Sequence, residues 1–137
     1  MKIRYLLQSL IVLLILVIAA NYYFSDHLPK AMVNHVIQES MEGGLSDLAI
    51  RSQDKETLQR FFGSELATKD LDYSGDFTRA NPDLPELLYT FEHIDYDQNN
   101  SIRQMITGNL AIQMTRQSFF KWKIKQVRII NELQINQ

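Results

Sequence analysis

The hydrophobic pattern divides the chain into three parts, and the first part is a continuous apolar run. Residues 5–25 form a stretch of 21 consecutive uncharged positions. As an α-helix this run would be about 31 Å long, which matches the hydrocarbon thickness of a bilayer. Aromatic side chains stand at both of its ends, as they do at membrane interfaces. The run predicts a transmembrane helix with these anchor residues: Tyr5, Leu10, Leu14, Ile18, Tyr22 and Tyr23.

A cleavable secretory signal is the alternative for the same segment. Lys2 and Arg4 form a basic start, and two alanines end the most apolar stretch. However, cleavage after Ala20 would put Ile18 at a position that prefers a small residue. The pattern therefore favours an uncleaved anchor.

The charges beside the run predict its orientation. Lys2, Arg4 and the terminal amine precede it, whereas Asp26 and Lys30 nearly cancel each other after it. Because positive charge stays on the cytoplasmic side, the N-terminus is expected in the cytoplasm. We therefore expect a single-pass inner-membrane protein with a cytoplasmic tail at 1–4, a span at 5–25 and an extracytoplasmic domain at 26–137. In a Gram-negative cell this domain would be periplasmic.

The second part has helical periodicity. Apolar residues recur at three- and four-residue steps over 29–42 and again over 54–62, which predicts two amphipathic helices. Pro29 suits the first turn of the first helix, and Asp54 is expected to cap the second. Residues 45–50 are expected to add a further helical turn.

The third part alternates between apolar and polar residues. This alternation predicts strands at 87–97 and 102–115, and Gly108 on the apolar face is expected to permit a bend or a close neighbour. A further strand is expected to place Phe120, Trp122 and Ile124 on its apolar face.

The apolar phase of that last strand slips near Lys125 and Gln126, which predicts a bulge there. The polar passage 69–85 is expected to be a connection. The fold class is therefore α+β: a transmembrane helix followed by two or three helices packed on a curved antiparallel sheet of three to four strands.

Composition and charge exclude several classes of function. The chain has no cysteine, so neither a disulfide nor a thiolate zinc site can form. From residue 26 onward it has 12 basic and 16 acidic residues, which does not indicate a nucleic-acid binder. The charges are unevenly placed, because residues 70–97 hold eight acids against one base, and residues 102–131 hold six bases and no acid.

The order of these elements resembles a known superfamily. The segments DKETLQRFFGSEL and ITGNLAIQMTRQSFFKWKIKQVRII are similar to the helix pair and closing hairpin of the nuclear-transport-factor-two-like, or cystatin-like, cone-shaped domains. Membrane-anchored periplasmic members, such as the bridging component of type IV secretion machines, share the layout of tail, span and small domain. The resemblance implies a scaffold subunit of an envelope or secretion complex.

The stretch FEHIDYDQNNSI contains the candidate chemistry. His93 and Asp95 share one strand face with the aromatic residues before them. The resemblance implies an alternative in which this pair is the acid and base of an isomerase- or hydrolase-like pocket that binds a small ligand. The other interpretation is the wet end of a strand, followed by a hairpin turn at 97–101.

A calcium loop over the same residues is not expected. The spacing of oxygen-bearing side chains starts correctly, but Asn100 replaces the required glycine and Ile106 the bidentate glutamate. No metal and no cofactor are therefore expected.

A group of basic residues near the C-terminus is the candidate partner-binding surface. It is either a solvated face or a docking surface for an acidic partner or anionic headgroups. The acidic passage 70–86 of a second copy could also pair with it. The expected partners are the membrane, other membrane or periplasmic proteins and a homo-oligomer, and the expected function is a non-catalytic scaffold. The basic residues are Arg116, Lys121, Lys123, Lys125 and Arg128.

Overall fold

A long helix, a short helix and one antiparallel sheet make up most of the described part of the protein. The computed structural model describes residues 2–67, 70–78 and 84–136, so that Arg79 and Asp83 of the acidic passage lie outside the described residues. The sheet has the strand order β1-β2-β3-β4. The α+β prediction is confirmed. The elements are α1 (Lys2–Tyr22), a π-helical turn (Tyr23–His27), α2 (Leu28–Glu42), a 3₁₀ turn (Leu45–Asp47), α3 (Ser52–Phe62), β1 (Asp72–Thr78), β2 (Glu86–Tyr96), β3 (Ile102–Ser118) and β4 (Lys121–Asn136).

The apolar run does not end before the domain begins. It continues into α2, and within the described part of the chain Ile3–Glu42 is the one helix that is long and apolar enough to cross a membrane. At 40 residues this helix is about 60 Å long. The large apolar side chains of α1 are 50–84% exposed, so the rest of the protein does not cover them.

Pro29 explains the irregular turn in this helix. A proline inside an α-helix lacks the N–H donor and collides with the carbonyl four residues earlier. The chain avoids the collision by widening into the π-helical turn, in which the Leu28 N–H donates to the Tyr23 carbonyl. The sequence predicted that Pro29 would open a separate helix, but it lies in a continuous one.

The second half of the long helix and α3 pack against one face of the sheet, which we call the inner face. The ring centroids of Phe61 and Phe91 lie 5.2 Å apart across this boundary. The core is made of α2, α3 and inner-face residues, among them Val33, Ile37, Leu58, Phe61, Leu87, Tyr89, Phe91, Leu110, Ile112 and Met114.

Strand β1 lies in the passage that the sequence indicated as a connection. Its sequence, DYSGDFT, mixes residues that strands favour with two aspartates and a glycine, so local propensity alone does not specify a strand, and the pairing with β2 stabilises it. Gly75 stands opposite Tyr89, and a side chain at Gly75 would collide with the tyrosine ring. The glycine is therefore required by the buried ring beside it.

Replacing Gly75 by alanine tests this contact. We expect Gly75→Ala to lower the free energy of unfolding by about 1–3 kcal/mol, because the ring of Tyr89 has to move within a packed core. Urea unfolding of the full chain in detergent micelles, followed by fluorescence, measures the change. Ser74→Ala, on the exposed side of the same strand, is the matched control. A Gly75→Ala protein as stable as the wild type would contradict the packing described here.

Two details of β3 and β4 were predicted correctly and one was not. Lys125 is the extra residue of a bulge, because Gln113 pairs with Gln126 whereas Met114 pairs with Ile124. Gly108 has the predicted close neighbours, with Leu133 and Phe61 over it. The prediction for Phe120 is wrong: it lies in the β3–β4 turn and is 65% exposed.

Helix α3 covers part of the free edge of the sheet, which is formed by β4. Asp54 does not cap this helix, as the sequence suggested, because the helix begins at Ser52 after Arg51. Instead its carboxylate is 1% exposed, accepts two hydrogen bonds from Arg51 at 2.7 and 3.0 Å, and accepts the Val127 N–H at 2.8 Å. It thus supplies an acceptor to an N–H that an edge strand would leave unpaired.

Removing this carboxylate should destabilise the protein. Asp54→Ala leaves the buried Val127 N–H without an acceptor, and we expect a loss of about 2 kcal/mol in the free energy of unfolding. Asp54→Asn, which keeps an acceptor oxygen, should lose less. Asp47→Ala, at an exposed position, is the control in the same urea titration. If Asp54→Ala unfolded at the same urea concentration as Asp47→Ala, the edge contact would be unimportant.

Candidate functional site

His93 and Asp95 do not converge on a shared partner. Both lie on the inner-face side of β2 near its end, and both are half-buried. The His93 Nδ1–H donates to the carbonyl of Asp70 at 3.1 Å. The Asp95 carboxylate lies 3.8 Å from the Arg103 guanidinium, and the arginine side chain of this ion pair is 73% exposed. Each group therefore has its own separate contact.

The turn after this strand is held by its own side chains. Asp97 Oδ1 accepts the backbone N–H of Asn99 and of Ser101 at 2.8 and 2.9 Å, and Asn100 has a left-handed backbone with φ of 59°. These are the properties of Asp and Asn that predicted a hairpin turn here. That prediction is confirmed.

The space between the helices and the centre of the sheet is filled by side chains, and an open cleft lies to one side of it, with Gln38 and Tyr73 among its lining residues. Tyr89 and Phe91 are buried there, and the Tyr89 hydroxyl donates to Asn34 Oδ1 at 2.6 Å. Burial, together with the neighbouring Tyr73, raises the pKa of Tyr89. The described residues contain no buried side-chain polar atom without a hydrogen-bond partner.

The raised pKa of Tyr89 predicts how stability falls in alkali. Below the ordinary tyrosine pKa of about 10 both states are protonated, and the contribution is complete. Above it the unfolded tyrosine ionises first, so the free energy of unfolding should fall by up to about 1.4 kcal/mol per pH unit. Tyr89→Phe should remove this share of the slope, and Tyr96→Phe, at a 55% exposed position, is the control. Equal slopes in wild type and Tyr89→Phe would contradict the prediction.

The opposite face of the sheet, which we call the outer face, has unlike charges at its two edges. One row across the four strands consists of Asp76, Leu88, Ala111 and Arg128. Arg128 also pairs with Glu86 of β2 by reaching over the small side chain of Ala111. The face is therefore acidic on the β1 side and basic on the β4 side.

The next row on the outer face is polar and uncharged. Thr90 and Asn109 are joined by a hydrogen bond of 3.0 Å, and Asn109 accepts one from Asn131 at 2.9 Å. Side-chain amides and hydroxyls that bond to each other along a row make a flat, hydrated surface. Such a surface suits recognition by another protein better than enclosure of a small molecule.

The structure separates the five basic residues that the sequence grouped. Lys121, Lys123 and Arg128 pair with β3 residues of the outer face, and Lys125 is the unpaired residue of the bulge. Arg116 pairs with Trp122 on the helix side and donates to Ser25 Oγ at 3.4 Å. All five side chains belong to exposed residues. Their role in binding a partner stays a prediction.

The β3–β4 hairpin touches the end of the apolar run, a contact that was not predicted from the sequence. The Trp122 Nε1–H donates to the Phe24 carbonyl at 2.6 Å. The Phe24 ring lies 5.6 Å from Phe119 and 4.8 Å from Phe120 between centroids. Two consecutive aromatic residues in an alternating stretch were the available signal, because they cannot both face the core.

The function of this chain has to be inferred from the geometry of its described residues. Within residues 2–67, 70–78 and 84–136, no group of three or more His, Asp or Glu side chains is placed to hold a metal ion. No family model, curated protein or solved structure matches the chain.

Proposed function

We propose that the chain is a non-catalytic single-pass membrane protein whose α+β domain binds protein partners as an assembly or scaffold subunit. The observation that carries the proposal is the contrast within one continuous helix. Its first half leaves large apolar side chains 50% or more exposed, whereas its second half is packed on the sheet. A bilayer around the first half would remove that apolar surface from water.

Retention of the apolar run is part of this proposal. The helix continues from the run into α2, and Phe24 and Ser25 at the end of the run contact the β3–β4 hairpin. The run thus takes part in the packing of the domain. An inner-membrane location with the N-terminus in the cytoplasm follows from the flanking charges.

The filled inner side supports binding rather than catalysis. Phe91, Leu110 and Ile124 are buried between helices and sheet, and Trp122 is half-buried beside them. His93 and Asp95 point to separate partners at the strand end. The layout of a helix pair followed by an antiparallel sheet also supports our proposal of membership in the nuclear-transport-factor-two-like superfamily, in the anchored type found in secretion machines.

The outer face is the proposed partner surface. It has no helix of the described chain packed on the row of Thr90, Asn109 and Asn131, and its unlike edges can align a charged partner. A second copy is one such partner, because the β1 edge of one chain carries acids and the β4 edge carries the exposed Lys125 and Arg128.

Site-directed photo-crosslinking in intact membranes tests the function. A photoreactive amino acid at Thr90 is expected to give a discrete adduct, and the same group at Glu56, on the exposed side of α3, should give none. An adduct of twice the 16.0 kDa chain would identify a second copy, and any other discrete mass a different protein.

Charge variants make this test specific. Asp72→Asn combined with Asp76→Asn, at the acidic edge of the outer face, should lower the adduct yield several-fold, because complementary charge guides association. Arg103→Gln, at the other end of the sheet, is the control. The proposal fails if probes at Thr90 and Asn131 give only background, or if the Glu56 probe gives the same adduct.

A further inference from the structure

The β3–β4 turn is an exposed aromatic tip beside the end of the apolar helix. Phe119 and Phe120 form this turn and remain 45% and 65% exposed. Turns in water favour Gly, Asn, Asp and Ser, and the turn at the other end of β3, residues 97–101, follows that rule. The turns at the two ends of β3 thus differ in polarity: one is aromatic and the other is polar.

The height of this tip is fixed relative to the apolar run. Phe24 is the second-last residue of the run at 5–25, and it contacts both phenylalanines of the tip and accepts the Trp122 N–H. If the run spans a bilayer, the tip lies where the hydrocarbon gives way to headgroups. Aromatic rings are favoured at this depth.

Basic side chains surround the aromatic tip. The Arg116 guanidinium lies 4.9 Å from the Phe119 ring centroid and 5.5 Å from that of Trp122, and it donates to the Phe119 carbonyl at 2.9 Å. Lys121 and Lys123 follow on the exposed side of β4. Cationic groups next to an anionic lipid surface are attracted to it.

We propose that the hairpin tip is a second membrane-contact site, which seats Phe119 and Phe120 in the headgroup region of the bilayer with Lys121 and Lys123 toward anionic headgroups. This inference rests on the proposed span, because the span sets the depth of Phe24. Two points of attachment then hold the sheet at a fixed tilt over the membrane, so that the outer face is presented in one orientation.

Single-cysteine labelling tests the depth of the tip in the full chain, which contains no native cysteine. Nitroxide labels are placed by Phe120→Cys at the tip, by Leu14→Cys in the apolar run and by Gln98→Cys in the far turn. The proteins are reconstituted in vesicles of phosphatidylcholine with phosphatidylglycerol as the minor lipid. Collision with oxygen reports a lipid environment, and collision with a water-soluble nickel chelate reports water.

We expect the label at 120 to be several-fold less accessible to nickel than the label at 98, and shallower than the label at 14. Pure phosphatidylcholine, or Lys121→Gln with Lys123→Gln, should move the label at 120 toward water. Because the Phe120 substitution removes an aromatic ring, the fluorescence of the single tryptophan, Trp122, checks that the hairpin still packs on Phe24. A label at Ser118→Cys, which keeps both phenylalanines, repeats the measurement at the edge of the tip.

The outcomes separate this inference from the proposed function. Labels at 14 in lipid but at 118 and 120 as wet as at 98 would overturn the membrane tip and leave the span intact. Nickel access at 14 would instead overturn the span. If the label at 120 were shielded in native membranes but not in the reconstituted vesicles that contain phosphatidylglycerol, the tip would be assigned to a protein partner and the lipid assignment rejected.

Discussion

Pro29 has no N–H, and this fact determines how the domain is joined to its helix. In the π-helical turn the Leu28 N–H is bonded to Tyr23, and the residue five positions after Phe24 is Pro29 itself. The Phe24 carbonyl therefore has no donor in the helix. The indole of Trp122 supplies one at 2.6 Å. A gap in the helical hydrogen bonding becomes a fixed contact between the helix and the sheet.

That contact gives the sheet its position along the helix. Trp122 is the second residue of β4, so its hydrogen bond to Phe24 brings the β3–β4 hairpin alongside the end of the apolar run. Strand β3 is 17 residues long, about 55 Å when extended, and its other end projects away from the run. The packing of α2 and α3 then closes only one face of this long sheet. In the described part of the chain, no helix packs on the outer face.

The features that depend on neighbours in sequence could be predicted, and those that depend on distant contacts could not. The apolar run, the alternation over β3 and the phase slip at Lys125 are local patterns, and the structure contains a long apolar helix, a strand and a bulge at these places. Strand β1 is not specified by local propensity alone and is stabilised by its pairing with β2. Asp54 looked like a helix cap because its true partner, the Val127 N–H, lies 73 positions away in the chain.

The same distinction applies to the candidate site. The spacing of His93 and Asp95 correctly placed them on one face of a strand, but spacing cannot say where the core ends along that face. On β2 the buried residues end at Phe91, and His93 already reaches the carbonyl of Asp70, although Ile106 beside it on β3 is still part of the core. A pocket next to this pair would have to occupy the place of the core side chains, and these side chains hold the helices to the sheet. Function in this chain is therefore better sought on what the packing leaves uncovered, which is the outer face and the aromatic tip beside Phe24.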